Sequence, residues 1–181
     1  MIHEQWVISD HHLFHDNTWR MFKRADGFPL RPFNSTDEMT KKIIHCHNSV
    51  VGINDYVYFL GDLSFKYGGE LDAVLYAMNG KKRFIPGNHD DLIKLAPFLL
   101  KHFKKANGVW YSGKAETDYP FTMSHTPQLL EKIRWGKYNV HGHTHAENEK
   151  NPHYINVCVE PLNYTPMHFD QVVEEIKQRE S

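Results

Sequence analysis

The sequence predicts an α/β protein of two packed mixed sheets flanked by helices, folded as a single domain over residues 1–181. Three observations lead there. Residues 5–102 alternate short apolar runs with helix-patterned segments, the order that builds parallel strands joined by helical crossovers. Residues 109–169 hold five further strand-like runs with short connections. No repeat, low-complexity tract or linker divides the 181 residues, a length that buries a sizeable core.

Taken in order, Gln5-Trp6-Val7-Ile8-Ser9-Asp10 reads as a buried strand ending on an acid. His11 to His15 is too polar to continue it, and residues 16–35 form a long connection broken by Gly27, Pro29 and Pro32. Ser35 or Thr36 caps a helix to about Val50, with Glu38 set for a capping box. Its Met39, Ile43, Ile44 and His47 fall near helical spacing on one face. Tyr56 to Leu60 is a second buried strand, ended by Gly61-Asp62. Glu70 through Asn79 is helical, with Leu71, Val74, Leu75 and Met78 on one face and Gly80 as terminator. Lys82 to Pro86 is a third strand, followed by Gly87-Asn88-His89-Asp90. Asp91 to about His102 reads as a helix that Pro97 should kink or divide. Strands over 109–112 and 121–124 follow, joined by a turn around Asp118 to Pro120. A short helix over 127–135 and a strand over 138–145 come next. Runs at 154–159 and 167–169 are the last strands, and a helix from Phe169 to about Gln178 closes the chain.

The hydrophobic share of 40% with 24% charged residues is ordinary for a globular protein. No apolar run nears the roughly 20 residues that span a bilayer. The first residues lack the basic flank and apolar stretch of a signal peptide, so a cytoplasmic location without a membrane partner is expected. Cys46 and Cys158 form no CxxC pair and read as ordinary reduced cysteines. The net charge of −1 argues against a dedicated nucleic-acid surface. Lys81-Lys82-Arg83 and the lysines of 101–105 read as solvated surface. The compositional outlier is 14 histidines, a residue that serves both as metal ligand and as acid–base group.

Several of these histidines stand at strand ends with other ligand types: Asp10 with His12, Asp62, Asn88 with His89, His125, and His143 with His145. On an extended chain, residues two apart point the same way, so His143 and His145 face one side, with Gly142 letting the backbone bend close. In open α/β sheets such groups gather beyond the carboxyl ends of the strands. Imidazole mixed with carboxylate, without thiolate, suits manganese, iron, zinc or similar ions. Asp10, His12, Asp62, Asn88, His125, His143 and His145 are too many ligands for one tetrahedral ion. They suit two divalent cations sharing a bridging carboxylate, an arrangement that clamps an in-line phosphoryl displacement.

Asp10-His11-His12, Gly61-Asp62, Gly87-Asn88-His89-Asp90, His125 and Gly142-His143-Thr144-His145 resemble, in order, the blocks of the calcineurin-like metallophosphoesterases. The match spans most of the chain. Ser9-Asp10-x-His12-x-x-His15-x-Asn17 and Arg31-Pro32-Phe33 look most like the small single-domain phosphoesterases of bacterial and phage type. The resemblance implies a four-layer α/β/β/α sandwich. It also implies one cation on Asp10, His12 and His145, a second on Asn88, His125 and His143, and Asp62 bridging both. Mn²⁺ is foremost, with Fe, Zn, Ni or Co as substitutes. A metal-bridging hydroxide would attack phosphorus in line, His89 would protonate the leaving group or stabilise charge on the phosphate oxygens, and Asp90 would orient His89.

Two departures narrow the substrate. Leu63-Ser64-Phe65 replaces the Asp-Arg-Gly signature of the related protein Ser/Thr phosphatases, and their GNHE reads GNHD here. The chain is also too short for the added domains of the DNA-repair nucleases. A phosphodiesterase acting on small or cyclic nucleotides is the expectation. A phosphomonoesterase using the same site, and a metal-dependent binding or sensor module without turnover, are the alternatives. His15 is a candidate substrate contact in the loop after the first ligand pair. Arg20, Arg24 and Arg31 read singly as solvated surface, with Arg31 the candidate to grip a phosphate bidentately. Trp19, Phe22 and Phe28 could stack a nucleobase, but anchoring the loop to the core is the commoner use of such aromatics. His11 and His141, beside ligands, should face away from them.

Overall fold

A computed structural model gives the structure, which describes residues 3–112, 118–133, 137–147 and 150–180. In chain order the elements are β1 (Gln5–Ile8), α1 (Asn17–Arg20), α2 (Thr36–Val50), β2 (Tyr56–Phe59), α3 (Gly69–Ala77), β3 (Lys81–Phe84), α4 (Leu92–His102) and β4 (Phe103–Ala106). Then come β5 (Trp110–Tyr111), β6 (Phe121–Ser124), a one-turn 3-10 helix (Leu130–Lys132), β7 (Tyr138–His141), β8 (Tyr154–Asn156), β9 (Met167–His168) and α5 (Phe169–Glu180).

One sheet has the order β4-β3-β2-β1-β9, with β1 to β4 parallel and β9 antiparallel. Its parallel neighbours are linked through α2, α3 and α4, since parallel strands need a long crossover. The other sheet has the order β5-β6-β7-β8, with β5 antiparallel and the rest parallel. Strand alternation sorts the core into two. Ile8, Val57, Phe59 and Phe84 pack with Met39, Ile43, Leu71 and Leu75 of the helices. Val7, Tyr58, Leu60 and Ile85 meet Phe121, Met123, Val140 and Ile155 of the second sheet, with Val172 and Ile176 of α5. Two packed mixed sheets flanked by helices are what the sequence predicts. On the second sheet's outward face Thr122, Ser124, Asn139 and His141 are buried, and Asn139 Oδ1 accepts the Gln128 N–H at 2.8 Å.

The departures have local causes. The short α1 interrupts the 16–35 connection. Helix α4 runs through Pro97 undivided; the single bond lost is to the carbonyl of Ile93, a residue 88% exposed whose carbonyl water can serve. Strand β4 lies inside the lysine run read as surface, because three of its four residues are exposed and leave no apolar pattern. Lys82, also read as surface, is buried; its ammonium donates to Met78 O at 2.6 Å, and burial pushes its pKa down to about 8. Ser35 caps α2 by accepting the Glu38 N–H at 3.1 Å, but the Glu38 carboxylate turns to the Asn34 N–H at 2.9 Å instead of closing the box. The helix expected over 127–135 is one 3-10 turn, with 134–136 outside the described residues, as is most of the β5–β6 turn. Strand β7 stops at His141 and not at 145. No helix of the described residues is long and apolar enough to cross a membrane.

On α2, His47 is fully buried with Nε2 2.9 Å from Asn79 O, and burial lowers its pKa from 6.5 to about 4. His11 is pushed by burial to about 3. Between those values and the unfolded 6.5, the unfolded chain binds the extra protons, so stability falls as pH drops through this window. The urea midpoint should therefore decline from pH 7 to pH 5. His47→Gln, which keeps a donor for Asn79 but cannot charge, should flatten that decline; an unchanged slope would remove His47 from the account.

Candidate metal centre

The carboxyl ends of β1, β2 and β3 in one sheet and of β6 and β7 in the other meet at one edge of the sandwich. The loops leaving β1 and β2 run side by side, with Asp10 N–H donating to Gly61 O at 3.1 Å, His12 N–H to Asp62 O at 2.9 Å and Leu13 N–H to Leu63 O at 3.0 Å. Ser9 bonds to Val157 O and accepts from Val159 N–H, so the two sheets join one residue before Asp10. Eight non-glycine residues described here have positive φ, and five are predicted ligands: Asp10 (59°), His12 (46°), Asp62 (51°), His143 (70°) and His145 (50°). Each such turn costs about 1–2 kcal/mol for a side-chain-bearing residue, and strain of this kind clusters at functional sites.

Glycines let these turns close. A Cβ on Gly87 would lie 2.1 Å from Asp62 Oδ1, and one on Gly142 would lie 2.0 Å from Ser9 Oγ and 2.3 Å from Asp10 Oδ2. Gly142→Ala should thus cost roughly 1–3 kcal/mol of stability and weaken Mn²⁺ binding by displacing Asp10. Urea unfolding and metal titration measure both, and a variant matching the parent in each would show that the contact yields freely.

Asp10, His12 and His145 bring one ligand atom each within 4.8 Å of one another, as do Asp10, Asp62 and His125. Asp10 divides its oxygens. Oδ2 accepts from the His143 N–H at 2.8 Å, the Ser9 hydroxyl at 2.5 Å and the Cys158 thiol at 3.3 Å. Oδ1 is buried without a donor among the described residues, 3.6 Å from His12 Nε2 and 3.9 Å from His145 Nε2. Burial works against ionising Asp10, but His12, His145, His125 and the Ser9 hydroxyl outweigh it and hold its pKa far below the carboxylate range. A buried anionic oxygen without a donor is costly; a cation between it and the imidazole nitrogens would remove that cost.

Asp62 Oδ2 stands 3.5 Å from His12 Nε2 and 3.5 Å from His125 Nε2, while Oδ1 accepts the His89 N–H at 2.9 Å. Beyond it, Asn88 Oδ1 lies 2.8 Å from His125 Nε2 and 2.9 Å from His143 Nδ1. His125 Nδ1 is 2.7 Å from the Leu60 carbonyl, which makes it the protonated nitrogen and leaves Nε2 free to ligate. Two donor groups therefore flank Asp62: Asp10, His12 and His145 on one side, Asn88, His125 and His143 on the other. This set of oxygen and nitrogen donors fits two divalent cations. His143 Nδ1 stands at Asn88 and His145 Nε2 nearest Asp10. The extended pair expected to face one side is not formed, because β7 ends at His141 and both histidines sit in left-handed turns beyond it.

Arg31 is not placed to meet substrate. Its guanidinium is fully buried, donating to Asp10 O and His11 O at 2.6 Å each and to Glu160 Oε1 at 2.8 Å. Glu160 Oε1 is also 3.1 Å from His145 Nδ1, so the carboxylate aims the other ring nitrogen of His145 at Asp10. Burial alone would raise the Glu160 pKa, yet Arg31 and His145 bring it below the usual value. Burial would lower the His145 pKa, and Glu160 raises it instead. Glu160, Ser9 and Cys158 are absent from the sequence-derived site. Glu160 does follow an apolar run, Val157-Cys158-Val159, as Asp10 follows β1, and that parallel was the available signal.

Asp90 does not orient the His89 ring. Its carboxylate accepts the N–H groups of Asp62 (2.9 Å), Leu63 (2.9 Å) and Gly87 (2.7 Å), tying the β2 and β3 loops together. His89 and Asn88 are exposed at the mouth. The His15 ring stacks on Phe65 with centroids 3.9 Å apart and stands 5.8 Å from the His12 ring; burial pushes its pKa down to about 4. His11 and His141 are fully buried, and His11 stacks on Phe59, away from the ligands. Phe22 and Phe28, read as core anchors, are 44% and 67% exposed.

No family model matches the chain. The chain is 33% identical over 182 aligned positions to the uncharacterized protein MJ1445 of Methanocaldococcus jannaschii, covering 96% of this chain and 91% of the archaeal one. The chain belongs to the same family as that protein. It is also 27% identical over 171 positions to the gene 66 protein of Mycobacterium phage L5, covering 78% of this chain and 77% of the phage protein. The fold is shared with AQ665, a protein of unknown function from Aquifex aeolicus, at a TM-score of 0.72 and 20% identity, over 96% of this chain and 99% of that one.

Proposed function

We propose that the protein is a dinuclear metal-dependent phosphohydrolase acting on small or cyclic nucleotide phosphodiesters, as its resemblance to the calcineurin-like metallophosphoesterases implies. One observation supports the reading: Asp62 Oδ2 lies 3.5 Å from an imidazole nitrogen of each donor group, so Asp62 would be the ligand common to both. Cations bound there, Mn²⁺ foremost, would supply the Lewis acidity that polarises a phosphoryl group and activates water at neutral pH. The chain does the rest. Arg31 and Glu160 fix Asp10 and His145, Asp90 fixes the Asp62 and Asn88 loops, and the glycines keep the two groups close. His89, exposed with its ring 5.7 Å from that of His12, gives a proton to the leaving alkoxide. The free, buried Cys46 and Cys158 accord with a reducing, cytoplasmic setting.

Protein stripped with chelator and resupplied with Mn²⁺ should hydrolyse bis(p-nitrophenyl) phosphate, with a lower kcat/KM for p-nitrophenyl phosphate, and Asn88→Ala should lose the activity. The reverse ratio would make it a phosphomonoesterase. Absence of metal-dependent turnover on any phosphoester would leave a binding module.

A further inference from the structure

Beside the ligands runs a groove of about 720 Å³ whose lining includes His143 and His145. Its opposite wall is the segment 22–30, folded back on itself by Arg24 N–H donating to Phe28 O at 2.9 Å and Leu30 N–H to Phe22 O at 2.8 Å. This arm holds Phe22 at the groove while leaving the ring 44% exposed. The ring meets His15 edge-on at 5.6 Å, and His15 in turn stacks on Phe65, so an aromatic array leads from the arm to His12. Lys23 and Lys150 line the same groove. Neither has a carboxylate partner among the described residues, whereas Arg24 is neutralised by Asp26 at 2.5 Å. One acid, Glu147, stands on the described lining.

The volume matters because it far exceeds what a phosphate needs and matches that of sites for drug-sized ligands. An aromatic ring kept out of the core next to unneutralised ammonium groups suits a flat molecule that carries negative charge. Stacking on an aromatic side chain accepts any base, and ammonium groups add charge-assisted hydrogen bonds to phosphate oxygens.

We propose that this groove binds the part of the substrate that is not cleaved: a nucleotide with its base over Phe22 and a second phosphate, distinct from the scissile one, against Lys23 and Lys150. The assignment of a scissile phosphate rests on the phosphodiesterase reading, but occupancy of the groove does not require a cation. Calorimetry on chelator-treated, divalent-free protein separates the two. ADP and UDP serve as probes, with adenosine and pyrophosphate each carrying one of the two features. Both nucleotides should bind, and each single-feature probe should bind at least tenfold more weakly. Phe22→Ala and the double variant Lys23→Ala/Lys150→Ala should each weaken the nucleotides by about tenfold or more, the scale of one stacked base. The surface position of these side chains leaves the core untouched, and circular dichroism checks that the variants fold. Failure of both nucleotides to bind, or binding indifferent to both sets of substitutions, overturns the groove assignment. Mn²⁺-dependent diester hydrolysis would survive that result, and its own absence would leave nucleotide binding in chelator intact.

Discussion

Replacing His89 by alanine should lower kcat for an alkyl phosphodiester by about a hundred- to ten-thousand-fold, the range for a positioned general acid. The same substitution should cost far less with a p-nitrophenolate leaving group, which departs without a proton. The geometry explains why the loss falls on the chemical step. The His89 peptide N–H is held by Asp62 Oδ1 at 2.9 Å, while its ring lies exposed at the mouth beside His12 and Phe65. Removing the ring leaves the donor groups in place, so Mn²⁺ binding should match that of the parent. Equal losses on both substrates would assign His89 to phosphate binding, and loss of metal would make it structural.

The second large effect is on stability. Arg31→Met should destabilise the protein by about 3–5 kcal/mol, as expected when one partner of a buried ion pair is removed. Three acceptors lose their donor together: Glu160 at the guanidinium Nε, and the carbonyls of Asp10 and His11. A Lys replacement does not rescue it, since one ammonium cannot span the fork that reaches two adjacent carbonyls and a carboxylate. Glu160→Gln should be milder for folding, because an amide oxygen still accepts from Arg31. It should weaken cation binding by about 10–100-fold by loosening His145. Urea unfolding with metal titration on the same samples measures both. If Arg31→Met unfolds at the parent midpoint, the guanidinium is not the brace described.

These two residues also show what can be read from a chain and what cannot. Strands β1, β2 and β3 are legible because apolar runs end abruptly on Asp10, Gly61-Asp62 and Gly87-Asn88, and the same endings pick out candidate ligands. His89 belongs to that pattern. Arg31 does not: its partner Glu160 lies 129 residues away, and nothing local distinguishes an arginine that grips backbone carbonyls from one that grips phosphate. Strand β4 was hidden for a related reason. It is an edge strand with one buried side chain, and lysines on an edge suppress the hydrophobic signal. For His143 and His145 the extended pair read from the sequence is not what forms. Periodicity presumes an extended backbone, and left-handed turns at 70° and 50° lie outside what it describes.

On the proposed function, the join at Ser9 and Cys158 would give bound cations a second role. One sheet carries Asp10, His12, Asp62 and Asn88, and the other carries His125, His143 and His145, so each donor group draws on both. An ion bound to either group is then a rivet through the interface between the sheets. Its binding free energy adds directly to the resistance of the sandwich to opening. Chelation would then be expected to leave a looser protein, whatever it does to turnover.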